Sequence, residues 1–305
     1  MKRNKIPGTD IAVSEICLGS MTFGTPVGRK EAADLVYYAL DKGINFIDTA
    51  NMYEGYARVP GSSGGVAEEI IGEALKGRRT EAVLATKLGM KVGSGQEDEF
   101  TSPAAIRKQL DLSLKRLGTD YIDLYYLHKY DPATAPGEIV HEMAEAIKAG
   151  KIRSYGVSNY TAGQLEALLK AADGLNSPRP VICQPALSML KTEALEDILP
   201  LCKRENIAVV PYQILQGGLL TGKYRRGFAA PAGSRGQEKS DWVWDMDDAL
   251  YTKLEELEGK AAEKGLSMTS YAIRWTLEQP AVVSALVGVK RPAQIDDAIL
   301  AASHE

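Results

Sequence analysis

Short apolar segments alternate with longer helix-patterned segments along most of this chain, and this alternation constrains the fold more than any other feature. Eight runs are rich in apolar and β-branched residues: Glu15–Ser20, Ile44–Asp48, Ala82–Lys87, Tyr121–His128, Ile152–Val157, Val181–Gln184, Ile207–Tyr212 and Val282–Val287. Helical periodicity marks nine further segments: Lys30–Lys42, Gly65–Lys76, Ser102–Leu117, Gly137–Ala149, Thr161–Ala172, Thr192–Glu205, Asp248–Lys264, Met268–Leu277 and Pro292–Ala301. Continuously apolar strands followed by helices are typical of a parallel sheet covered on both faces. The pattern predicts an α/β fold, a closed (β/α)8 TIM barrel.

A doubly wound open sheet is the alternative, and it normally carries a G-x-G-x-x-G turn after its first strand. The turn at Gly19–Gly24 reads GSMTFG instead, which favours the barrel. Because barrels of this size usually form one domain, we expect residues 1–305 to form a single domain. The stretch Lys5–Val13 predicts a small β-hairpin that closes the amino-terminal end of the barrel.

Composition excludes several classes of protein. With 36 Lys and Arg against 40 Asp and Glu, the net charge is −4, which gives no argument for nucleic-acid or anionic-membrane binding. There is no apolar run of about 18 residues, so no membrane span is expected, and no apolar segment typical of a secretion signal follows the basic N-terminus. We therefore expect a soluble cytoplasmic protein; the sequence indicates no oligomeric state.

Cysteine and histidine positions also argue against disulfide and metal chemistry. The three cysteines are an odd number without C-x-x-C spacing, and the three histidines form no H-x-H or H-E-x-x-H pair. These residues are Cys17, Cys183, Cys202, His128, His141 and His304. We expect reduced thiols and no metal site.

Two loops are long for a compact barrel. Asn51–Gly64 follows the second predicted strand, and Gln213–Asp247 follows the seventh. Loops of this length usually bind ligands or act as lids. Both follow strands, so both lie on the carboxyl-terminal rim, where barrels of this type place their chemistry.

Polar or titratable residues end seven successive strands that are otherwise apolar. Because parallel strands end at one rim, we expect these side chains to surround a shared site. They are Asp48, Lys87, His128, Ser158 with Asn159, Gln184, Tyr212, and Gly288 with Lys290 and Arg291.

Asp48, Lys87 and His128 end neighbouring strands, and Tyr53 lies five residues beyond Asp48. A buried Asp–Lys pair beside a structural histidine is the simplest interpretation. The addition of a tyrosine to this set suggests a catalytic role instead. A neighbouring cation favours the phenolate, and the phenol can then exchange a proton near neutrality. These four side chains indicate an acid that protonates a carbonyl oxygen while hydride reaches the carbonyl carbon.

With these residues in view, the sequence resembles the aldo-keto reductase family over nearly its whole length. The segments that carry the resemblance are Val13–Gly24, Asp48–Tyr53, the strand ending in Lys87, Tyr125–His128, Gly156–Tyr160, the Gln184 strand, Leu219–Tyr224 and Gly288–Gln294. The resemblance implies a (β/α)8 barrel that binds NADPH without a Rossmann fold and reduces aldehydes or ketones. It implies that Tyr53 is the general acid, that Lys87 lowers the pKa of Tyr53 and is paired with Asp48, and that His128 orients the substrate carbonyl.

The resemblance also implies a set of cofactor-binding residues. Ser158, Asn159 and Gln184 would bind the nicotinamide carboxamide, and Tyr212 would stack on the nicotinamide ring unless it is an ordinary rim aromatic. Lys290 and Arg291 would bind the adenosine 2′-phosphate at the start of the last helix, unless they are solvated surface cations. The remaining cofactor positions are Gly19, Met21, Asp48, the pyrophosphate loop residues Gln213, Leu215, Gly217, Leu219 and Lys223, then Gly288 and Gln294.

The sequence also indicates which residues shape the substrate pocket. The loop around Tyr56 together with Trp242 and Trp244 is expected to shape it, although the two tryptophans could equally pack the long lid against the barrel.

Two other functions stay open from the sequence. Barrel proteins of this family also resemble potassium-channel β subunits, which bind the nucleotide and act mainly as regulatory partners; the chain could be such a protein. A Schiff-base aldolase would use Lys87 as its nucleophile, but Asp48 would keep that amine charged and therefore argues against it.

Overall fold

A two-stranded hairpin and an eight-stranded parallel sheet form the centre of the computed structural model, which describes residues 1–303. The strands are β1 (Arg3–Lys5), β2 (Ala12–Ser14), β3 (Ile16–Gly19), β4 (Phe46–Asp48), β5 (Val83–Leu88), β6 (Ile122–Leu127), β7 (Ile152–Ser158), β8 (Ile182–Gln184), β9 (Ala208–Val209) and β10 (Ala285–Gly288). The large sheet has the order β10-β3-β4-β5-β6-β7-β8-β9. Val282, three residues before β10, forms a parallel bridge with Val209 of β9, and the Leu286 amide of β10 donates to the Pro211 carbonyl oxygen at 3.2 Å. The two edges of the sheet therefore meet, and the predicted barrel is confirmed.

Helices connect and cover these strands. They are α1 (Arg29–Asp41), α2 (Val66–Ala74), α3 (Pro103–Leu117), α4 (Pro136–Lys148), α5 (Ala162–Gly174), α6 (Ile198–Arg204), α7 (Arg235–Glu238), α8 (Asp248–Glu263), α9 (Met268–Leu277) and α10 (Pro292–Ser303). The sequence signals for α3 act as predicted: Ser102 accepts a hydrogen bond from the Ala105 amide, and Gly118 ends the helix in the left-handed region. Among residues 1–303, no helix has both the length and the apolar character to cross a membrane.

The segment Thr192–Glu205, predicted as one helix, is divided. A short 3-10 turn at Glu193–Leu195 precedes α6, and the Asp197 side chain caps the new helix by accepting from the Ile198 amide at 2.5 Å. Pro200 has no amide proton, so a continuous helix through it would lose a hydrogen bond; at the third position of α6 that loss costs nothing. The sequence also did not predict α7, which lies inside the long loop after β9.

Two apolar layers hold the barrel together. One lies between the helices and the outer face of the sheet, and the other fills the barrel interior. The turn between β1 and β2 confirms the predicted hairpin and places Ile6 and Ile11 in the interior layer, beside Phe46 and Tyr126. Because side chains fill the interior from the amino-terminal end, the open end of the barrel is the carboxyl-terminal rim.

Candidate active site

A cavity of about 1110 Å³ opens at the carboxyl-terminal rim. Seventeen of the residues predicted for the site line it: Gly19, Met21, Asp48, Tyr53, His128, Ser158, Asn159, Gln184, Tyr212, Gln213, Leu215, Gly217, Lys223, Gly288, Lys290, Arg291 and Gln294. The register brings them together, since Gly19 pairs with Asp48 and Ser158 pairs with Gln184 at adjacent strand ends. The volume exceeds that of a typical drug-sized pocket and is large enough for an extended ligand.

Two predicted residues do not line the cavity. Lys87 is fully buried behind Tyr53, which it contacts. Leu219 is buried in a separate apolar cluster with Leu254 and Met268, beneath the loop whose neighbouring residues do reach the cavity. Leu219 therefore supports the loop from below.

The Lys87 ammonium is the hub of the polar network at the base of the cavity. It donates hydrogen bonds to the Asp48 carboxylate, to the Thr49 carbonyl oxygen at 2.8 Å and to the Tyr53 hydroxyl oxygen at 3.3 Å. These three acceptors use all three ammonium protons. Because an ammonium group cannot accept a hydrogen bond, the Tyr53 oxygen is the acceptor, and the phenolic proton is free to be donated elsewhere.

Burial and charge set the protonation states of this network. The pKa of Tyr53 lies above its ordinary value because burial raises it more than Lys87 lowers it. Burial alone would lower the pKa of Lys87, but Asp48 and Tyr53 raise it above its ordinary value, so the amine stays charged. Lys87 thus acts on Tyr53 in the expected direction, yet the net shift is upward, because losing water disfavours the phenolate more than one ammonium stabilises it.

His128 lies edge-on to Tyr53, with 6.0 Å between ring centroids. Burial lowers its pKa well below the ordinary value, and the nearby cations Lys87, Arg58 and Lys129 lower it further. Its Nδ1 atom is buried and has no hydrogen-bond partner within residues 1–303. His128 is therefore neutral at pH 7 and can hydrogen-bond a carbonyl oxygen without carrying charge.

The residues predicted to bind a carboxamide bond to one another and to the Lys87 network. Gln184 donates to Asp48 Oδ2 at 2.9 Å, and Ser158 donates to the Gln184 carbonyl oxygen at 2.9 Å. Asn159 donates to the His128 carbonyl oxygen at 2.8 Å and accepts from the Tyr212 hydroxyl at 2.6 Å. These contacts fix the orientation of the polar groups that face the cavity.

The loop Gln213–Asp247, called the lid below, covers one side of the cavity. The Trp242 ring packs edge-on against Tyr56 with 5.4 Å between centroids, and Arg235 donates to the Tyr56 hydroxyl at 3.4 Å. Tyr56 lines the cavity, whereas Trp242 and Trp244 are more than 40 % exposed and do not. For Trp242 the structure supports the lid-packing alternative over the pocket-shaping one.

Four cations gather where the lid meets the end of β10. Lys223, Arg235, Lys290 and Arg291 all line the cavity, and Glu238 lies among them. Burial lowers the pKa of Lys223, and the neighbouring cations lower it further. Clustered positive charge that is partly removed from water is the ordinary feature of a polyanion site.

Backbone geometry contributes to the same corner. Gly217 and Gly218 have φ values of 64° and 96°, and a Cβ atom on Gly218 would lie 2.5 Å from Lys223 Nζ. The Gln294 side chain accepts from the amides of Lys290 at 2.7 Å and Arg291 at 3.1 Å, and so caps the start of α10. Gln294 therefore fixes the backbone that carries the two cations and also lines the cavity.

Sequence reasoning missed several cavity residues. Arg235, Glu238, Met52 and Met90 line the cavity but were not singled out. Arg235 and Glu238 lie in a polar stretch of the lid with no distinctive spacing, so only the folded lid identifies them. Within residues 1–303, no group of three His, Cys, Asp or Glu side chains is arranged to hold a metal ion; His304 lies outside the described residues.

The match between this chain and a family model identifies its protein family. The model of the aldo/keto reductase family matches residues 15–305. The chain belongs to the aldo-keto reductase family. Aldo-keto reductase YhdN of Bacillus subtilis (strain 168) is 33% identical over 303 residues, covering 97% of this chain and 87% of its own length.

Other members of the aldo-keto reductase family similar to this chain carry different names. A probable voltage-gated potassium channel subunit beta of Arabidopsis thaliana is 32% identical over 305 residues, covering 97% of this chain and 90% of its own length. The NADH-specific methylglyoxal reductase of Escherichia coli (strain K12) is 32% identical over 324 residues, covering 99% and 93%. Members of the aldo-keto reductase family are oxidoreductases that use nicotinamide cofactors.

Proposed function

We propose that this chain is an NADPH-dependent reductase that converts aldehydes or ketones to alcohols, with Tyr53 as the general acid. The observation that carries the proposal is the Tyr53 hydroxyl, which accepts from Lys87 and keeps its own proton available at the cavity. Family membership supports an oxidoreductase, and the closed barrel brings the predicted residues to one rim.

The cavity residues fit the parts of a nicotinamide dinucleotide. Amide and hydroxyl groups of Ser158, Asn159 and Gln184 can both donate to and accept from a carboxamide. At the other end, the cations beside the Gly217–Gly218 turn suit the charge of a pyrophosphate. The two glycines have no side chain, so their backbone can approach the phosphates closely. The bound cofactor would supply a hydride to the carbonyl carbon.

The protein's own residues then handle the proton. Tyr53 donates its proton to the carbonyl oxygen as negative charge develops there. Lys87 stabilises the resulting phenolate, and Asp48 keeps Lys87 charged and in position. Neutral His128 donates a hydrogen bond to the same oxygen and so orients the substrate. Tyr212, fixed through Asn159, offers its ring to the nicotinamide.

NADPH as the cofactor rests on Lys290 and Arg291, which lie directly before α10. The amino-terminus of a helix favours an anion, and two cations there suit a 2′-phosphate. One relative is named as NADH-specific, so the binding of both nucleotides has to be compared directly.

The substrate we propose is a small carbonyl compound with an apolar body. Met52, Met90 and Tyr56 line the cavity together with Tyr53 and His128, and methionine side chains adapt to ligands of different shape. We further propose that residues 1–305 form one domain that works in the cytoplasm, which its three free buried cysteines support.

The substitution Tyr53→Phe tests the acid role. With NADPH and a simple aromatic aldehyde, we expect turnover to fall about 10²-fold or more, the usual scale for a positioned acid. The Kd for NADPH, measured by quenching of protein fluorescence, should stay close to that of the wild type. Tyr37→Phe, which removes an exposed hydroxyl from α1, is the matched control. Undiminished turnover by Tyr53→Phe would exclude Tyr53 as the acid.

A regulatory subunit is the second candidate, and the similarity to a plant protein named as a potassium channel β subunit favours it. Such a protein would bind the nucleotide but turn over simple carbonyls slowly, and it would co-purify with a membrane partner. A Schiff-base role for Lys87 is weaker, because Asp48 and the raised pKa keep the amine protonated. Failure of borohydride to trap a carbonyl substrate on Lys87 would exclude it.

A further inference from the structure

Lys290, proposed above to bind a 2′-phosphate, already has hydrogen-bonding partners within the protein. Its ammonium forms an ion pair with the Glu238 carboxylate and donates to the Gly233 carbonyl oxygen at 3.0 Å. The side chains of Lys290 and Glu238 are 22% and 25% exposed. This pair joins the barrel rim after β10 to α7 of the lid.

Glu238 shares its corner of the cavity with several cations. It forms an ion pair with Lys290, and the charges of Glu238, Arg235, Lys290 and Arg291 all act on Lys223; the five side chains line the same cavity. A carboxylate in such a place neutralises part of the field that would attract a polyanion. It also occupies the Lys290 ammonium directly.

A ribose 2′-hydroxyl and a 2′-phosphate meet this carboxylate in opposite ways. The hydroxyl can donate a hydrogen bond to Glu238 while the ion pair with Lys290 stays intact, and acidic residues commonly recognise a ribose hydroxyl in this way. A phosphate carries negative charge and only acceptor oxygens in its ionised form. To reach Lys290 it must displace Glu238 or lie beside a like charge, and both options cost free energy.

We propose that Glu238 is the specificity-determining residue that limits the preference of this site for NADPH over NADH. Glu238 holds Lys290 from the lid, penalises a 2′-phosphate and tolerates a 2′-hydroxyl. This inference rests on the proposed function, because it takes a nicotinamide dinucleotide to be the ligand of the cavity.

The test is the substitution Glu238→Gln in the full chain. Glutamine has nearly the same size and can still accept from Lys290, so the lid keeps its contact, but the negative charge is gone. Kd values are measured by fluorescence titration for NADPH and NADH, and for ADP-ribose with and without a 2′-phosphate. We expect Glu238→Gln to bind the two 2′-phosphorylated ligands about tenfold more tightly. The Kd values for NADH and ADP-ribose should rise or change little.

Two further variants separate this role from a general effect of charge. Asp241→Asn removes the same charge from an exposed position three residues along the lid, and it should change each Kd less than twofold. In a Lys290→Met background, Glu238→Gln should lose most of its effect on 2′-phosphorylated ligands, because the two residues act as a pair.

Two results would overturn the proposal. The first is an unchanged ratio of the NADPH and NADH Kd values in Glu238→Gln; this includes equal tightening of all four ligands, which would show that the carboxylate does not distinguish them. In that case the nucleotide-binding function itself would stand. If the wild type binds neither nucleotide at millimolar concentration, the proposed function fails and this inference fails with it.

Discussion

The ammonium of Lys87 donates a hydrogen bond to the hydroxyl oxygen of Tyr53 over 3.3 Å, and the same ammonium is paired with Asp48. Lys87 and Asp48 are 0% and 1% exposed. One buried cation therefore contacts both the proposed acid and a carboxylate, so the stability of the fold and the proposed proton transfer depend on the same ammonium group.

Replacing Lys87 with Met is expected to destabilise the fold as well as the active site. Asp48 would keep a buried charge without a cation, and breaking a buried pair in this way typically costs about 3–5 kcal/mol of unfolding free energy. Urea denaturation followed by circular dichroism measures the loss. Because Asp48→Asn removes the orphaned charge, the double variant should recover part of it.

The matched control is Lys30→Met, which breaks the exposed Lys30–Asp34 pair on α1 and should hardly change the denaturation midpoint. A Lys87→Met variant that unfolds at the same urea concentration as the wild type would show that the buried pair does not stabilise the barrel.

Ionisation of Tyr53 is not expected to change the rate of carbonyl reduction near neutral pH. A general acid works in its protonated form, and activity is lost as the pH rises through its pKa. Since the pKa of Tyr53 lies above the ordinary value of about 10, the falling limb of kcat/KM should lie above pH 10. Measurement of kcat/KM between pH 6 and 10 checks this, and a limb centred near pH 8 would contradict the raised pKa.

His128 predicts how stability depends on pH. Its pKa is lowered in the folded protein, mainly by burial, so below about pH 6.5 the unfolded chain binds a proton that the folded chain does not. The unfolding free energy should therefore decrease as the pH falls below 6.5, by up to about 1.4 kcal/mol per pH unit from this residue.

Urea denaturation at several pH values between 5 and 8 tests this prediction for His128. The variant His128→Gln should have a flatter profile than the wild type, whereas His141→Gln, on the exposed face of α4, should keep the wild-type slope. Parallel profiles for the wild type and His128→Gln would argue that the histidine titrates normally.

Gly218→Ala should weaken nucleotide binding. The new methyl group would lie 2.5 Å from Lys223 Nζ and displace it, and the φ of 96° adds backbone strain. We expect the Kd for NADPH to rise severalfold. Gly227→Ala is a control on the same lid, with φ 77° and open space around its Cβ position, so it introduces strain without moving a cation. Equal Kd values for the two variants would remove Lys223 from the binding site.

The positions of the polar strand ends were predictable because a parallel barrel places every strand end on one rim. Asp48 and Gln184 end their strands as expected, and His128 follows directly after β6. Tyr212 lies three residues beyond the two-residue β9, so strand length was predicted less well than strand position. The tertiary pairing of neighbours decides where a ladder ends, and an apolar run shows only which residues are suited to it.

Asp197, a helix-capping residue, and Pro200, which disfavours a continuous helix, indicate in the sequence that Thr192–Glu205 is divided. The helical periodicity on both sides of these residues favoured a single helix instead. The lid contacts had no such signal. Glu238 meets Lys290 across 52 residues of chain, and Arg235 meets Tyr56 across 179, separations at which local pattern carries no information.

By itself, the sequence determined the barrel and the set of residues at its rim. The apolar pattern of each segment is a local property that identifies the strands, and the carboxyl ends of parallel strands all lie at the same rim. Only the tertiary structure decided how those residues act on one another. The upward net shift of the Tyr53 pKa depends on how much water burial removes, and the pairing of Lys290 with Glu238 depends on where the lid lies. Both are set by distance in space, which spacing along a chain does not encode.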